Sequence, residues 1–360
     1  MRFTLRQKLG AVLIDWPRYE WNLRELALPG RPSGHWTRIA NRDDELLAAP
    51  RGNGVDRVGR WTSRLHGCAV FPSLGRRLMR RSLAEWPIEL SPELAGSETE
   101  EPDITFVIGH RGIDRIPHLL TTLRSIAAQS DARIECVVVE QSERAEAGAL
   151  LPDWVRYLHT PPPVAALPYV RAWALNTGAR LARGRLLVFH DGDMLMPRRY
   201  AAELLTAHGL GFEVINLKRF VFYLAEETKA ALLDGVPAES GKLDAVVQNL
   251  QAGGSVAVDR EAFFELGGFD EMFVGWGGED DEFWDRARTR RLWPWGHLPC
   301  VHLWHRAQPE KVRRERSTAA RLEDRLRVPA ETRIRELSTR HFGIPAGPAS
   351  SPSPSRMDSP

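Results

Sequence analysis

The stretch Leu186-Leu187-Val188-Phe189-His190-Asp191-Gly192-Asp193 decides the fold class of this chain. Its first half is an unbroken, mostly apolar run, typical of a parallel strand whose two faces are both covered. Two carboxylates then follow, one residue apart, with a glycine that allows a tight turn between them. Such a pair can present oxygens to Mg²⁺ or Mn²⁺. The alternative is a solvated turn, because Asp and Gly are favoured turn residues in any protein.

The flanking segments alternate between strand and helix patterns. Residues 104–108 and 134–139 predict further strands, and residues 119–128 and 170–182 predict helices. This alternation predicts an α/β fold with a mostly parallel sheet flanked by helices. Ligands bind at the carboxyl ends of strands in such sheets. We therefore expect the segment after the first strand, the residues after the second, and Asp191 to Asp193 to share one rim.

Length and texture predict the domain organisation. The 360 residues divide into an N-terminal extension (1–100) rich in Arg, Trp and Pro, an α/β domain (101–344), and a tail (345–360). The tail is mostly Pro, Ser, Ala and Gly, and it is predicted to be disordered because it has few large apolar residues to pack. The role of the extension cannot be inferred from its sequence.

Charge and cysteine content limit the partners and the location. The 49 basic and 47 acidic residues leave a net charge of +2, which argues against nucleic-acid binding over the whole surface. The three cysteines lie far apart in the sequence, which favours a reducing compartment. With no apolar run of about 18 residues, we expect no transmembrane segment and a cytoplasmic location. Peripheral membrane contact stays open.

A second group of conspicuous residues lies between Gly253-Gly254-Ser255 and the block Trp276-Gly277-Gly278-Glu279-Asp280-Asp281. Residues 279–288 predict a helix that begins after the glycines. Its phase puts Asp280 on one face with Trp284 and Ala287, so we expect Asp280 to point inward and Asp281 to lie in water. A carboxylate held against aromatic rings has a raised pKa, which suits a general base. The alternative is that these acids only stabilise the first turn of a helix.

The segment His302-Leu303-Trp304-His305 offers a third type of metal ligand. Imidazole coordinates transition metals well and would favour Mn²⁺ over Mg²⁺. Residues three apart on a strand face opposite sides, so we expect only one of the two histidines to bind. The alternative is an aromatic-rich surface loop with two neutral histidines.

The order of these motifs resembles the GT-A glycosyltransferases of the galactosyltransferase type. The Asp-x-Asp pair and the Trp-Gly-Gly-Glu-Asp-Asp block carry the resemblance, which covers about residues 103–306. It implies a Rossmann-like GT-A fold, Mn²⁺ (or Mg²⁺) as cofactor, and transfer of a sugar from a nucleotide sugar, with UDP expected, to a carbohydrate or other hydroxyl acceptor. Gly109-His110-Arg111 departs from the Pro-aromatic-Arg that is more usual there.

The resemblance also implies roles for individual residues. Asp193 would bind the metal most directly, Asp191 would lie near the metal or the ribose, and His305 would be the favoured histidine ligand. Asp280 would be the catalytic base, and Glu279 would hydrogen-bond the acceptor sugar. The remaining assigned residues would form the nucleotide-sugar pocket: Arg111, Arg115, Glu140, Tyr169, Arg171, Gly254 and Trp276.

Three other functions compete with inverting transfer. Retaining N-acetylgalactosaminyltransferases resemble the same segment but usually have Asn at the position of Asp280. A non-catalytic sugar- or nucleotide-binding module would lack carboxylates that this chain retains. A nucleotidyltransferase also needs paired acids after a strand, but it does not require the Trp-Gly-Gly-Glu-Asp-Asp block. Neither the donor sugar nor the acceptor can be inferred from the sequence.

Overall fold

The structure, a computed structural model, describes residues 3–13, 44–48, 55–59, 67–92, 100–162, 168–233, 241–275, 277–294, 296–306 and 309–344. The strands, in chain order, are β1 (Asp44–Ala48), β2 (Val55–Gly59), β3 (Ile104–His110), β4 (Ile134–Glu140), β5 (Val155–His159), β6 (Leu186–His190), β7 (Met194–Leu195), β8 (Val214–Ile215), β9 (Lys218–Leu224), β10 (Leu243–Gln248), β11 (Ser255–Asp259), β12 (Arg291–Trp293) and β13 (Leu298–His302). The predicted tail at 345–360 lies outside the described residues.

Helices connect these strands and cover their faces. They are α1 (5–13), α2 (Gly67–Val70), α3 (Pro72–Glu85), α4 (Ile116–Ala127), α5 (Arg171–Leu181), α6 (Tyr200–Gly209), α7 (Glu226–Leu233), α8 (Arg260–Glu265), α9 (Glu279–Ala287), α10 (Pro309–Arg327) and α11 (Ala330–Ser338). No helix in the described ranges is long and apolar enough to cross a membrane.

The larger sheet has nine strands in the order β1-β2-β12-β8-β11-β6-β3-β4-β5. Five of its eight neighbouring pairs are parallel, and the antiparallel pairs are β1 with β2 and β11 with both of its neighbours. The predicted α/β class with a mostly parallel sheet is confirmed. The antiparallel β11 was not predicted, because its apolar run does not show strand direction.

Both faces of the central strands are buried, as their continuous apolar patterns predict. Alternate residues of β3 enter different cores: Phe106 and Ile108 pack with α4 and α6, while Val107 packs with α5 and α8. Residues 186–190 of β6 are all buried. Each fully buried large apolar side chain contributes about 1.5–3 kcal/mol to folding, so this double-sided core fixes where β6 ends.

A second sheet, in the order β10-β9-β13-β7, lies next to the first. The two-residue strand β7 follows Asp193 directly and pairs with β13, so that Met194 lies opposite His302. This pairing brings together two parts of the chain that are about a hundred residues apart. It positions the Asp-x-Asp turn against the histidine segment.

Part of the predicted N-terminal extension contributes to the domain. Strand β2 pairs with β12 of the large sheet. Helix α3 buries Leu78, Met79 and Leu83 against the second sheet, in a cluster that includes Leu195 and Val301. The boundary near residue 100 therefore stays a prediction about sequence texture, while the structure shows contacts across it.

Candidate active site

The Asp191–Asp193 turn lies at the carboxyl end of β6, as predicted. The Asp191 amide donates to the Gly254 carbonyl over 2.8 Å, and the Met194 amide donates to the Asp191 carbonyl over 3.2 Å. Gly254 adopts φ +71°, a left-handed conformation that favours glycine. Its backbone thus anchors the start of the turn. The short strand β7 lies between the turn and α6.

Asp193 lies beside two histidines. Its Oδ1 is 3.6 Å from His302 Nε2, and its Oδ2 is 3.4 Å from His305 Nε2. One ligand atom from each residue falls within 4.8 Å of the other two. Binding by a single histidine stays a prediction, but both rings lie beside this carboxylate because β13 ends at His302. The chain then bends, with the Leu303 amide donating to the Asp193 carbonyl over 2.8 Å, so both rings reach the same carboxylate.

The chemistry of this cluster suits a divalent transition metal. Imidazole with carboxylate is a donor set that such ions accept. Among the described residues, Asp193 Oδ1 and His302 Nδ1 are buried without a hydrogen-bond partner. Burial lowers the pKa of His305, which favours the neutral, ligating ring. Asp193, His302 and His305 could therefore hold the ion.

Asp191 does not belong to this cluster. Its Oδ1 accepts from Arg171 Nη2 over 2.6 Å and from Arg171 Nε over 3.1 Å. Burial alone would raise its pKa, but the Arg171 charge and hydrogen bonds hold that pKa below its ordinary value. The assignment of Asp191 to the metal stays a prediction, and in this structure its carboxylate binds the Arg171 guanidinium.

Arg171 binds three carboxylates at once. Besides Asp191, its Nη1 lies 2.7 Å from Asp280 Oδ1 and 3.3 Å from Glu279 Oε1. Its side chain is only 16% exposed. The contact of Arg171 with a nucleotide stays a prediction, and in this structure its side chain joins the Asp191–Asp193 turn to the first turn of α9. The two halves of the site are therefore in direct electrostatic contact.

The orientation of the α9 acids differs from the prediction. Glu279 is the enclosed carboxyl, 4% exposed, whereas the side chain of Asp280 is 28% exposed. Burial, with the nearby Asp280 charge, raises the pKa of Glu279 to about 7. Asp281 is exposed, as predicted. Helical phase failed here because the first turn of α9 faces the Arg171 cluster rather than the apolar core.

Gly278 and Gly253 lie next to the first turn of α9 and allow other groups to approach it closely. Gly278, the residue before the helix, has φ +92°. A Cβ on Gly253 would lie 3.0 Å from Asp280 Oδ2. Gly253 thus lies against the carboxylate of Asp280, which gives the first glycine of the pair a steric reason that sequence spacing did not show.

Two arginines and a tyrosine line the end of β3. Arg115 Nη2 lies 3.6 Å from Asp193 Oδ2, so Arg115 reaches the cluster of Asp193, His302 and His305. Arg111 is half-buried near Tyr169. The Tyr169 hydroxyl occupies the space above Gly109, where an added Cβ would come within 2.1 Å of it. Burial raises the pKa of Tyr169 well above its ordinary value.

Glu140 ends β4, and both of its carboxylate oxygens accept hydrogen bonds. Its carboxylate accepts from the amides of Glu146 and Ala147 and from the Tyr157 hydroxyl, which lies at 2.5 Å. The side chain is fully buried and closes the loop after β4. The assignment of Glu140 to the nucleotide pocket stays a prediction, since a nucleotide would have to compete with these hydrogen bonds. Trp276, the proposed sugar platform, lies outside the described residues.

Sequence reasoning missed Lys218 at the start of β9. Its side chain is fully buried and its Nζ donates to the Ser255 carbonyl. Burial lowers its pKa to about 8, with Asp191 and Asp280 near enough to oppose that shift. The only sequence signal is the pair Lys218-Arg219 in the otherwise apolar and aromatic run of residues 217–224.

Two glycosyltransferase family models match different parts of the chain. The model for glycosyl transferase family 2 matches residues 114–234, and the model described as the N-terminal domain of galactosyltransferase matches residues 248–293. The first contains the Asp191–Asp193 turn, and the second contains Gly253-Gly254 and the acids of α9.

One curated relative and two solved structures are also similar. A probable N-acetylgalactosaminyltransferase 9 of Caenorhabditis elegans is 43% identical over 58 residues, which are 15% of this chain and 9% of that protein. The mannosyltransferase PcManGT of Pyrobaculum calidifontis, solved with GDP-Man and Mn²⁺, is 19% identical with a TM-score of 0.42, covering 74% of this chain and 78% of that one. The catalytic domain of Drosophila β1,4-galactosyltransferase 7, solved with xylobiose, is 17% identical with a TM-score of 0.33, covering 53% and 64%.

The class of protein follows from the family matches and the fold. Both family models describe glycosyltransferases, and the mostly parallel α/β sheet with its acidic rim is the architecture expected of the GT-A type. The chain therefore has an α/β fold of GT-A type and carries two segments that match glycosyltransferase models. Since the curated match spans less than a tenth of that relative, the reaction, substrates and partners of the whole chain are matters for proposal.

Proposed function

We propose that this protein transfers a sugar from a nucleotide sugar, with UDP as the expected nucleotide, to an acceptor hydroxyl with inversion. The observation that carries this proposal is the meeting of Asp193, His302 and His305 at the rim where Asp280 also lies. A divalent ion held by these three residues would neutralise charge on the departing diphosphate. Such a transfer requires the metal-binding residues and Asp280 to lie on the same rim of the sheet.

Asp280 is the proposed catalytic base. It is more exposed than Glu279, so an acceptor hydroxyl can reach it. The hydroxyl proton passes to Asp280 as the acceptor oxygen bonds to the anomeric carbon and the bond from that carbon to the diphosphate oxygen breaks. A diphosphate that attracts Arg171 would release the Asp280 Oδ1 now bound to it.

Retaining transfer is the second candidate. It is favoured by the similarity to the probable N-acetylgalactosaminyltransferase, which is 43% identical to this chain over 58 residues. In a retaining reaction the product keeps the anomeric configuration of the donor. NMR of the first-formed product separates the two reactions, since inversion predicts the opposite anomer.

A scan of nucleotide sugars with Mn²⁺ tests the proposed function. The expected result is thermal stabilisation by one UDP-sugar with the metal present, worth about 2.7 kcal/mol at a hundred times its dissociation constant. Release of UDP should accompany it. Asp193→Asn should lose the metal-dependent part of this stabilisation. If no nucleotide sugar stabilises the protein with Mn²⁺ present, the proposal is overturned.

A further inference from the structure

A buried chain of hydrogen bonds lies beneath the Asp191–Asp193 turn. His190 Nε2 is 3.1 Å from the Met194 carbonyl, and His190 Nδ1 is 2.8 Å from Ser255 Oγ. The Tyr200 hydroxyl is 2.9 Å from the same Ser255 Oγ. These three side chains are at most 1% exposed. None of them has a role in the reaction described above.

The direction of each bond follows from its last acceptor. A carbonyl oxygen can only accept, so His190 Nε2 carries the hydrogen that points to Met194. With its hydrogen on Nε2, the neutral ring accepts at Nδ1. Ser255 then donates to Nδ1 and accepts from Tyr200. These hydrogen bonds thus fix one tautomer of His190.

Met194 connects these hydrogen bonds to the cluster of Asp193, His302 and His305. It directly follows Asp193 and lies opposite His302 in the pairing of β7 with β13. The Leu303 amide holds the Asp193 carbonyl on the same short ladder. Because β7 directly follows Asp193, a bond that fixes the Met194 carbonyl also restrains Asp193. The pairing of β7 with β13 then sets Asp193 relative to the segment that carries both histidines.

We propose that His190 is a positioning residue that sets the geometry of Asp193, His302 and His305 for a divalent ion through its hydrogen bond to Met194. This rests on the proposed function, because the cluster must bind metal for the positioning to matter. Residues that orient metal ligands from behind change metal affinity by about 10–100-fold when they are replaced.

Two amide substitutions separate the two bonds of His190. The amide of glutamine reaches about as far as Nε2, so His190→Gln can still donate to Met194. The amide of asparagine reaches only about as far as Nδ1, so His190→Asn can still pair with Ser255 but loses Met194. Mn²⁺ affinity, measured by electron paramagnetic resonance of free Mn²⁺ without donor or acceptor, compares the two variants in the full-length chain.

The expected result is a 10–100-fold weaker Mn²⁺ affinity for His190→Asn and a change within about threefold for His190→Gln. Thermal unfolding without metal corrects for any general loss of stability, because a merely structural role would lower the melting temperature of both variants and leave Mn²⁺ affinity unchanged. Equal affinity in wild type and His190→Asn, or equal losses in both variants, would overturn the positioning role. Absence of Mn²⁺ binding in the wild type would instead overturn the metal site of the proposed function.

Discussion

Glu279 and Asp280 are adjacent in sequence but lie in different environments. Glu279 is enclosed, with its pKa raised to about 7 by burial, while Asp280 is part-exposed and bound to Arg171 at 2.7 Å. One carboxyl is therefore suited to share a proton near neutrality, and the other is within reach of an acceptor. The sequence predicted an enclosed carboxyl in the first turn of α9 but assigned that position to Asp280 rather than to Glu279.

The role of Asp280 as base predicts a specific loss. Asp280→Asn keeps the shape of the side chain but cannot take the acceptor proton, so turnover should fall by about 10²–10⁴-fold. Binding of UDP with Mn²⁺ should stay within about threefold, since Asp193 and the histidines are unchanged. Steady-state kinetics and calorimetry measure the two effects. The matched control Asp281→Asn, at the exposed neighbour, should retain turnover. Normal turnover of Asp280→Asn would show that the base is another group.

Glu279 predicts how stability depends on pH. Its pKa is about 7 in the folded protein and near 4.5 when unfolded, so the folded state binds more protons between these values. Stability should therefore fall as pH rises from about 4.5 to 7, by at most about 1.4 kcal/mol per pH unit from this group. In Glu279→Gln this slope should flatten. Urea unfolding across this range measures it, and an unchanged slope would contradict the raised pKa.

At the scale of elements, α9 is held in place by a buried ion-pair cluster on its far side. Glu282 accepts from Arg286 on the same helix and from Arg333 of α11, and all three side chains are fully buried. Arg333 also pairs with Asp285. Burial would raise the pKa of Glu282, but the two guanidinium groups hold it below its ordinary value. The helix that carries Glu279 and Asp280 is thereby fixed to the C-terminal helices.

Removing one partner of this cluster should destabilise the protein. Arg333→Met leaves Glu282 and Asp285 with one fewer cation in a buried setting, at a cost of about 3 kcal/mol. Arg335→Met, an exposed position on the same helix, is the control and should change stability by less than about 0.5 kcal/mol. Urea denaturation measures both. Equal, small effects would mean that the cluster contributes little.

At the scale of the whole molecule, the central strands and helices were predicted closely because their apolar periods are strong. The strand at 186–190 was predicted to the residue, and the helices at 116–127 and 171–181 to within a few residues. The second sheet was not predicted, because the two-residue strand β7 has no detectable period and its partner β13 is about a hundred residues away. That same long-range pairing made His302 a second candidate ligand.

The nucleotide side of the site shows why residue roles are harder to predict than elements. Glu140 was placed on the correct rim, since it ends β4. Its actual partners are two amides of the following loop and the Tyr157 hydroxyl, and loop geometry cannot be read from strand patterns. Position along a strand can thus be inferred from sequence, but competition for a carboxylate cannot.

The contact between Gly109 and Tyr169 has a consequence for how this chain varies among its relatives. A side chain at position 109 would occupy the space of the Tyr169 hydroxyl, so the two positions should change together during evolution. Relatives with the usual larger residues at the end of β3 should have a smaller side chain, or a displaced loop, at position 169.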